Sequence, residues 1–334
     1  MIRNEISISL DLEAGGTLDA AKIVFHTSHP SWDGKMRVVW ICHALTANSD
    51  PCDWWPQMVG EGRPIDTASG FIVCVNVPGS SYGSVSPSCV NPGTGRLWLL
   101  DFPMITVRDM VSAMIAVRKH LGICHVDLLI GSSIGGFQAL EWSVTEPDIF
   151  SRCCFIATAP RVSPYLSATV EAQRMALEAD PTFRQARSLE GGAAGLRCAR
   201  AQALISYRCF EGYGLTQREE DEDTLFAGRA ASYERYQGEK LLRRGFDAYC
   251  YYSLCNSLDS HNLGRGRGGV KAALGRIKAY CSVVSIDTDS LFPPSEGRLW
   301  AADIPSSEYY EISSRFGHDG FLLETAKLTA ILMR

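Results

Sequence analysis

Ser133 stands between Gly131 and Gly135 in the stretch VDLLIGSSIGGFQALEW, Val126 to Trp142. An apolar run ends there and a helix-like pattern begins, so the serine sits on a strand-to-helix turn. Small neighbours let strand and helix approach closely and tolerate a strained backbone. Such a turn holds a hydroxyl in the open above a helix N-terminus, where the Ile134 N–H can face an oxyanion. The hydroxyl becomes a nucleophile only beside a base. Two histidines follow it, His261 in LDSHNLGRGRGG and His318 in EISSRFGHDGFL. Two carboxylates, Asp287 and Asp289 in SIDTDSLFPP, are placed to orient such a base.

G-x-S-x-G between a strand and a helix matches the nucleophile elbow of the α/β-hydrolase fold, in which the chain order is serine, acid, histidine. That order selects His318, which lies just beyond the last strand-like run and can reach back to the serine. His261 reads as structural. His43 in ICHALTANSD precedes the serine and reads as a residue that shapes its loop. The acid should follow the strand YCSVVSID. Asp289, just before the LFPP turn, is preferred over Asp287. Its task is to fix the imidazole tautomer and stabilise the imidazolium. The second oxyanion donor should come from the loop after the third strand, which makes the Leu45 N–H the candidate.

The elements that must position these groups are legible as runs. EISISL and KIVFHTS suggest a hairpin around EAGGTL. RVVWICHAL, FIVCVNV, VDLLIG, CCFIATA, YCSVVSID and SEYYEIS are mostly solid β-branched or aromatic runs, as in a parallel sheet covered on both faces. TVRDMVSAMIAVRKHLGI predicts a helix with apolar residues at Val107, Met110, Val111, Met114, Ile115 and Val117, stopped by Gly122. The alternation argues for a mostly parallel, eight-stranded α/β domain over residues 1–160 and 270–334. Between them, residues 161–269 are charged and helix-favouring and read as a helical lid. The acidic run Glu219 to Asp223 reads as a solvated loop or helix end.

The bulk composition narrows the function. The 334 residues are 46% hydrophobic and 21% charged with a net charge of −5, an ordinary globular balance without an electrostatic case for nucleic acid or an anionic membrane. No apolar run reaches the length of a membrane span, and the first residues lack a signal-peptide core, so a cytoplasmic location is expected. Twelve cysteines form no C-x-x-C pair and no zinc-finger spacing. Cys42, Cys74, Cys153 and Cys154 lie inside apolar runs and read as small buried hydrophobes, so no metal site is expected.

Longer stretches carry more. VVWICHALTANSD, DWWPQMVGEGRPID, FPMITVRDMV, GSSIGGFQALEW, AGLRCARAQALISYR, SYERYQGEKLLRRGFDAYCYYSL, TDSLFPP and GHDGFL occur in one order along most of the chain. In this the sequence resembles the homoserine O-acetyltransferase family of methionine biosynthesis. The resemblance implies an α/β-hydrolase fold with a helical lid, a homodimer formed through that lid, and ping-pong acyl transfer. Ser133 would take acetyl from acetyl-CoA, a co-substrate and not a resident cofactor, and L-homoserine would then take it from the enzyme. Arg200 would hold the homoserine carboxylate, with Tyr207 beside it, and Asp319 the ammonium. Two departures stand out: GSSIGG replaces the family's usual GGSMGG at Ser132 and Ile134, and Val85–Ser86 replace a Thr–Gly pair near the expected rim of the site.

GRGRGG, Gly264 to Gly269, follows a polar segment and not a strand, which excludes a dinucleotide fingerprint. Arg265 and Arg267 read first as loop charges, with coenzyme A phosphates as the alternative. Trp54 and Trp55 read as packing or pocket-lining residues. Within acyl transfer, succinyl as donor or serine as acceptor stays open, since small pocket changes decide such choices. An esterase on the same fold is the other class, and it would have no use for an amino-acid clamp.

Overall fold

The computed structural model describes all 334 residues. The first two runs pair as an antiparallel hairpin, β1 (Ile2–Asp11) and β2 (Thr17–Thr27). The remaining runs form β3 (Arg37–Cys42), β4 (Gly70–Val75), β5 (Val126–Ser132), β6 (Phe150–Ile156), β7 (Tyr280–Ile286) and β8 (Ser307–Ile312). The eight strands lie in one sheet in the order β1-β2-β4-β3-β5-β6-β7-β8. β2 meets β4 antiparallel, and every pairing from β4 to β8 is parallel. The serine turn therefore projects from a central strand, β5, at the carboxyl edge of the parallel part of the sheet.

Solid apolar runs are needed because both faces are covered. In β3, Val38 and Trp40 enter one core while Val39 and Ile41 enter the other. Each fully buried side chain of this kind contributes about 1.5–3 kcal/mol. One face is covered by α1 (Val107–His120) and α2 (Ile134–Thr145). Trp142 of α2 meets Trp40 edge-on, with ring centroids 4.8 Å apart. α1 begins with a capping box, since Thr106 N–H donates to Asp109 Oδ2 at 2.7 Å and Asp109 N–H donates back to Thr106 Oγ1 at 3.3 Å. The other Asp109 oxygen accepts the Glu13 N–H at 2.8 Å, which ties the helix to the hairpin turn.

Between β6 and β7 the chain is helical: α3 (Pro164–Glu178), α4 (Ala193–Tyr207), α5 (Phe210–Thr216), α6 (Arg229–Arg243) and α7 (Ala248–Asp259), with shorter turns between. Its two ends meet in an antiparallel bridge, Arg161 to Asn262, where Leu263 N–H donates to Pro160 O at 2.9 Å and Val162 N–H to His261 O at 3.1 Å. α8 (Pro294–Ala301) packs on β7 and β8, and α9 (Thr325–Leu332) closes the second face. No helix is long and apolar enough to cross a membrane. Cys42, Cys74, Cys153 and Cys154 are all buried and unpaired.

Candidate active site

Ser133 is the N-cap of α2 and one of five non-glycine residues with positive φ, at φ 58° and ψ −129°. Side chains in such conformations cost about 1–3 kcal/mol and persist only where the surroundings impose them. Here the surroundings are glycines at van der Waals limits. A Cβ on Gly131 would collide with the Gly135 carbonyl, and one on Gly135 with the Cys42 carbonyl at the end of β3. Ser133 O also accepts the Thr158 hydroxyl at 2.9 Å. The elbow is thus wedged between two strands.

His318 and Asp289 form a buried couple 2.7 Å apart, Nδ1 to Oδ2. The other Asp289 oxygen, Oδ1, accepts the N–H groups of Leu291 and Phe292 at 2.8 and 3.1 Å. An ionised carboxylate only accepts, so Nδ1 carries the proton and Nε2 of the neutral ring is free to take another. Burial lowers the His318 pKa, but the adjoining Asp289 carboxylate outweighs it and the net shift is upward. Asp287 plays a different part: it is exposed and accepts the Ser314 N–H at 2.9 Å.

Ser133, His318, Leu45, Arg200, Tyr207 and Asp319 line one cavity of about 390 Å³. No hydrogen bond links Ser133 Oγ to His318 in this structure, although both side chains line the same space. The Leu45 and Ile134 N–H groups are both without an internal hydrogen-bond acceptor. Neutral His43 explains the course of the Leu45 loop. It donates from Nδ1 to Ala44 O at 2.9 Å and accepts the Val77 N–H on Nε2 at 3.1 Å. Burial pushes its pKa down to about 4. His261 is likewise structural: it contacts Ala159 O at 3.0 Å, stacks on Phe137 at 4.0 Å, and burial pushes its pKa down to about 3.

Arg200 lies over the Tyr207 ring at 5.6 Å and makes no ion pair. An unpaired guanidinium in a cavity is a place for an anion. Burial pushes the Tyr207 phenol up to about 12. Asp319 is half-buried, and one of its oxygens is already held by Arg208 Nε at 2.6 Å. The sequence reading missed Arg208, and also the Arg244–Asp53 pair (2.7 Å) on the cavity wall. Arg208 adjoins Tyr207 in sequence, but nothing local marks its partner 111 residues away.

Arg265 binds Glu13 at 2.7 Å, and Arg267 binds Glu141 at 2.7 Å, so both brace the start of the helical segment's return against the hairpin and α2. They are neither free loop charges nor free phosphate ligands. Trp54 lines the cavity, while Trp55 is buried behind it and stacked on Trp54 at 5.6 Å. Val85 and Ser86, expected near the rim, are buried and lie away from the cavity lining. Ser132 is buried too, its hydroxyl without a partner.

The alpha/beta hydrolase fold family matches residues 37–325. A homoserine O-acetyltransferase of Cyclobacterium marinum is 39% identical over 97% of this chain and 92% of that protein. The chain belongs to the homoserine O-acetyltransferase family. Among solved structures, a homoserine O-acetyltransferase from Bacillus anthracis aligns with TM-score 0.88 at 21% identity over 100% of this chain and 98% of that one. Esterase E22 aligns equally well, TM-score 0.88 at 19% identity over 99% and 98%. The fold alone therefore does not separate transferase from esterase. The groups in the cavity must do so.

Proposed function

We propose that the chain transfers acetyl from acetyl-CoA to the γ-hydroxyl of L-homoserine through an acetyl–Ser133 intermediate. Ser133 Oγ attacks the thioester carbonyl while His318 Nε2 takes its proton and Asp289 stabilises the resulting imidazolium. The Leu45 and Ile134 N–H groups face the tetrahedral oxyanion. Its collapse breaks the C–S bond, and His318 returns the proton to the departing CoA thiolate. Homoserine then enters, His318 takes the γ-hydroxyl proton as the oxygen attacks the acetyl ester, and collapse breaks the acyl C–Oγ bond while His318 returns the proton to Ser133 Oγ, releasing O-acetylhomoserine.

The observation that carries this reading over hydrolysis is the unpaired Arg200 in the same cavity as Ser133 and His318. A zwitterion needs a cation and an anion at fixed separation, and Asp319, with one oxygen held by Arg208, supplies the anion. Tyr207 packs between Arg200 and the His318 ring, 5.8 Å from the latter. Residues 161–269 act as the lid, since Arg200 and Tyr207 come from α4 and Arg244 from the end of α6. The lid also carries the homodimer contact. Phe210, Leu215, Leu225 and Phe226 of this segment are exposed, Phe210 and Phe226 at 89% and 80%, and they are apolar side chains that a second copy would bury. The reaction belongs to methionine biosynthesis in the cytoplasm.

The test is free CoA and product mass from protein given acetyl-CoA with and without homoserine. CoA release that depends on homoserine and yields O-acetylhomoserine supports the proposal. Equal CoA release without any amino acid would make the protein a hydrolase.

A further inference from the structure

The cavity wall holds two arginines, Arg200 and Arg244, and they differ in one respect. Arg200 has no ionic partner, whereas Arg244 gives its guanidinium to Asp53 at 2.7 Å. Asn48 Nδ2 donates to the same Asp53 oxygen at 2.9 Å and helps to fix that carboxylate. Asp53 belongs to the one-turn helix Pro51–Trp54 that follows the Leu45 segment, and Arg244 to the helical segment, 191 residues on. Tyr82 connects them to the chemistry. Its hydroxyl donates to Thr46 O at 3.3 Å, next to Leu45, and Leu45, Thr46, Asp53, Arg244 and Arg200 line the same cavity. The pair is therefore close to the acyl-binding loop and to the free cation.

We infer that Asp53 selects an uncharged acyl group by occupying Arg244. Given the acyl transfer proposed above, on which this inference rests, every anion brought in by either half-reaction needs a cation in the cavity. An acyl donor that is itself a carboxylate, such as succinyl-CoA, brings a second anion into a partly buried space, where it needs a cation. Only Arg200 is free to supply one. An acylated Ser133 whose distal carboxylate sits on Arg200 blocks the place where the acceptor's carboxylate must bind, so the second half-reaction stops. Acetyl brings no charge and leaves Arg200 open. With Asp53 neutral, Arg244 would be released for the distal carboxylate and both anions could be held at once.

The test is a competition between equimolar acetyl-CoA and succinyl-CoA with homoserine present, read as the ratio of O-succinyl- to O-acetylhomoserine by mass. Asp53→Asn keeps the shape, and its site is 49% exposed, so folding is checked simply by the melting curve. The ratio should rise at least tenfold in Asp53→Asn and return toward the parent value in Asp53→Asn/Arg244→Gln. An unchanged ratio in Asp53→Asn overturns the inference. So does a rise that survives loss of Arg244, or a folded Asp53→Asn that forms neither product. If the unsubstituted protein itself makes no O-acylhomoserine, the function reading fails. The inference then falls with it, a failure distinct from an unchanged ratio in a parent protein that does form product.

Discussion

Replacing Asp289 by Asn tests the catalytic couple through a feature of its hydrogen bonds. Asp289 Oδ1 accepts two backbone N–H groups, from Leu291 and Phe292. In Asp289→Asn only the amide oxygen can accept there, so the amide NH2 is forced toward His318 Nδ1. Nδ1 must then be the acceptor, and the ring proton moves to Nε2, the atom that should take the Ser133 proton. The substitution keeps the geometry and inverts the tautomer. An analogous change in a Ser–His–Asp triad lowers kcat about 10⁴-fold, which is roughly 5.4 kcal/mol at 1.36 kcal/mol per decade. A fall of about 10³–10⁴-fold is expected here in the rate of Ser133 acetylation, measured as the first turnover of CoA release. Asp287→Asn, which touches only the Ser314 N–H, should cost less than about tenfold. A loss under tenfold for Asp289→Asn, or a larger loss for Asp287→Asn, would refute this account of the acid.

Three further outcomes follow from the geometry. Arg200→Ala should leave acetylation of Ser133 within a few-fold of the parent but weaken homoserine use by about 10–100-fold, the scale of one lost charge-assisted contact; a parallel fall in both half-reactions would remove Arg200 from the acceptor site. His318 must be neutral to act as base, and Asp289 raises its pKa, so kcat/KM should climb with pH through a midpoint above the ordinary imidazole value of about 6.5. A midpoint below that value would contradict the assigned pairing. Gly135→Ala drives a Cβ into the Cys42 carbonyl, a backbone atom that cannot rotate away. It should melt at least about 5 °C lower or fail to accumulate in soluble form, as a thermal unfolding curve will report.

What the sequence made legible, and what it hid, divides by range. The strands from β3 to β7 could be placed because burial on both faces demands unbroken apolar runs, which need no knowledge of partners, while β1 shows as an alternating run. The elbow was visible because strand, turn and helix are contiguous, and α1 because its apolar spacing, its Thr106 start and Gly122 stop lie together. Asp289 could be preferred over Asp287 only from its position before the LFPP turn. Their different duties, one facing the ring and one tying a loop, are a matter of three dimensions. Arg208–Asp319, Arg244–Asp53 and Arg265–Glu13 join residues 111, 191 and 252 apart. Each arginine looks like a surface charge until the helical segment folds back over the sheet. Val85 misled for the complementary reason: a likeness placed it at the rim, while its backbone pairing with Lys22 and Gly79 draws it into the core.

The central claim is that a hydroxyl strained onto the β5–α2 turn is made nucleophilic by the imidazole that shares its cavity. Intact mass of the protein mixed with acetyl-CoA alone, with peptide mapping, tests it most directly. One acetyl group should appear on Ser133, vanish on addition of homoserine, and be absent from His318→Ala under the same exposure. Acetyl on another residue, or equal labelling of Ser133 without His318, would contradict it.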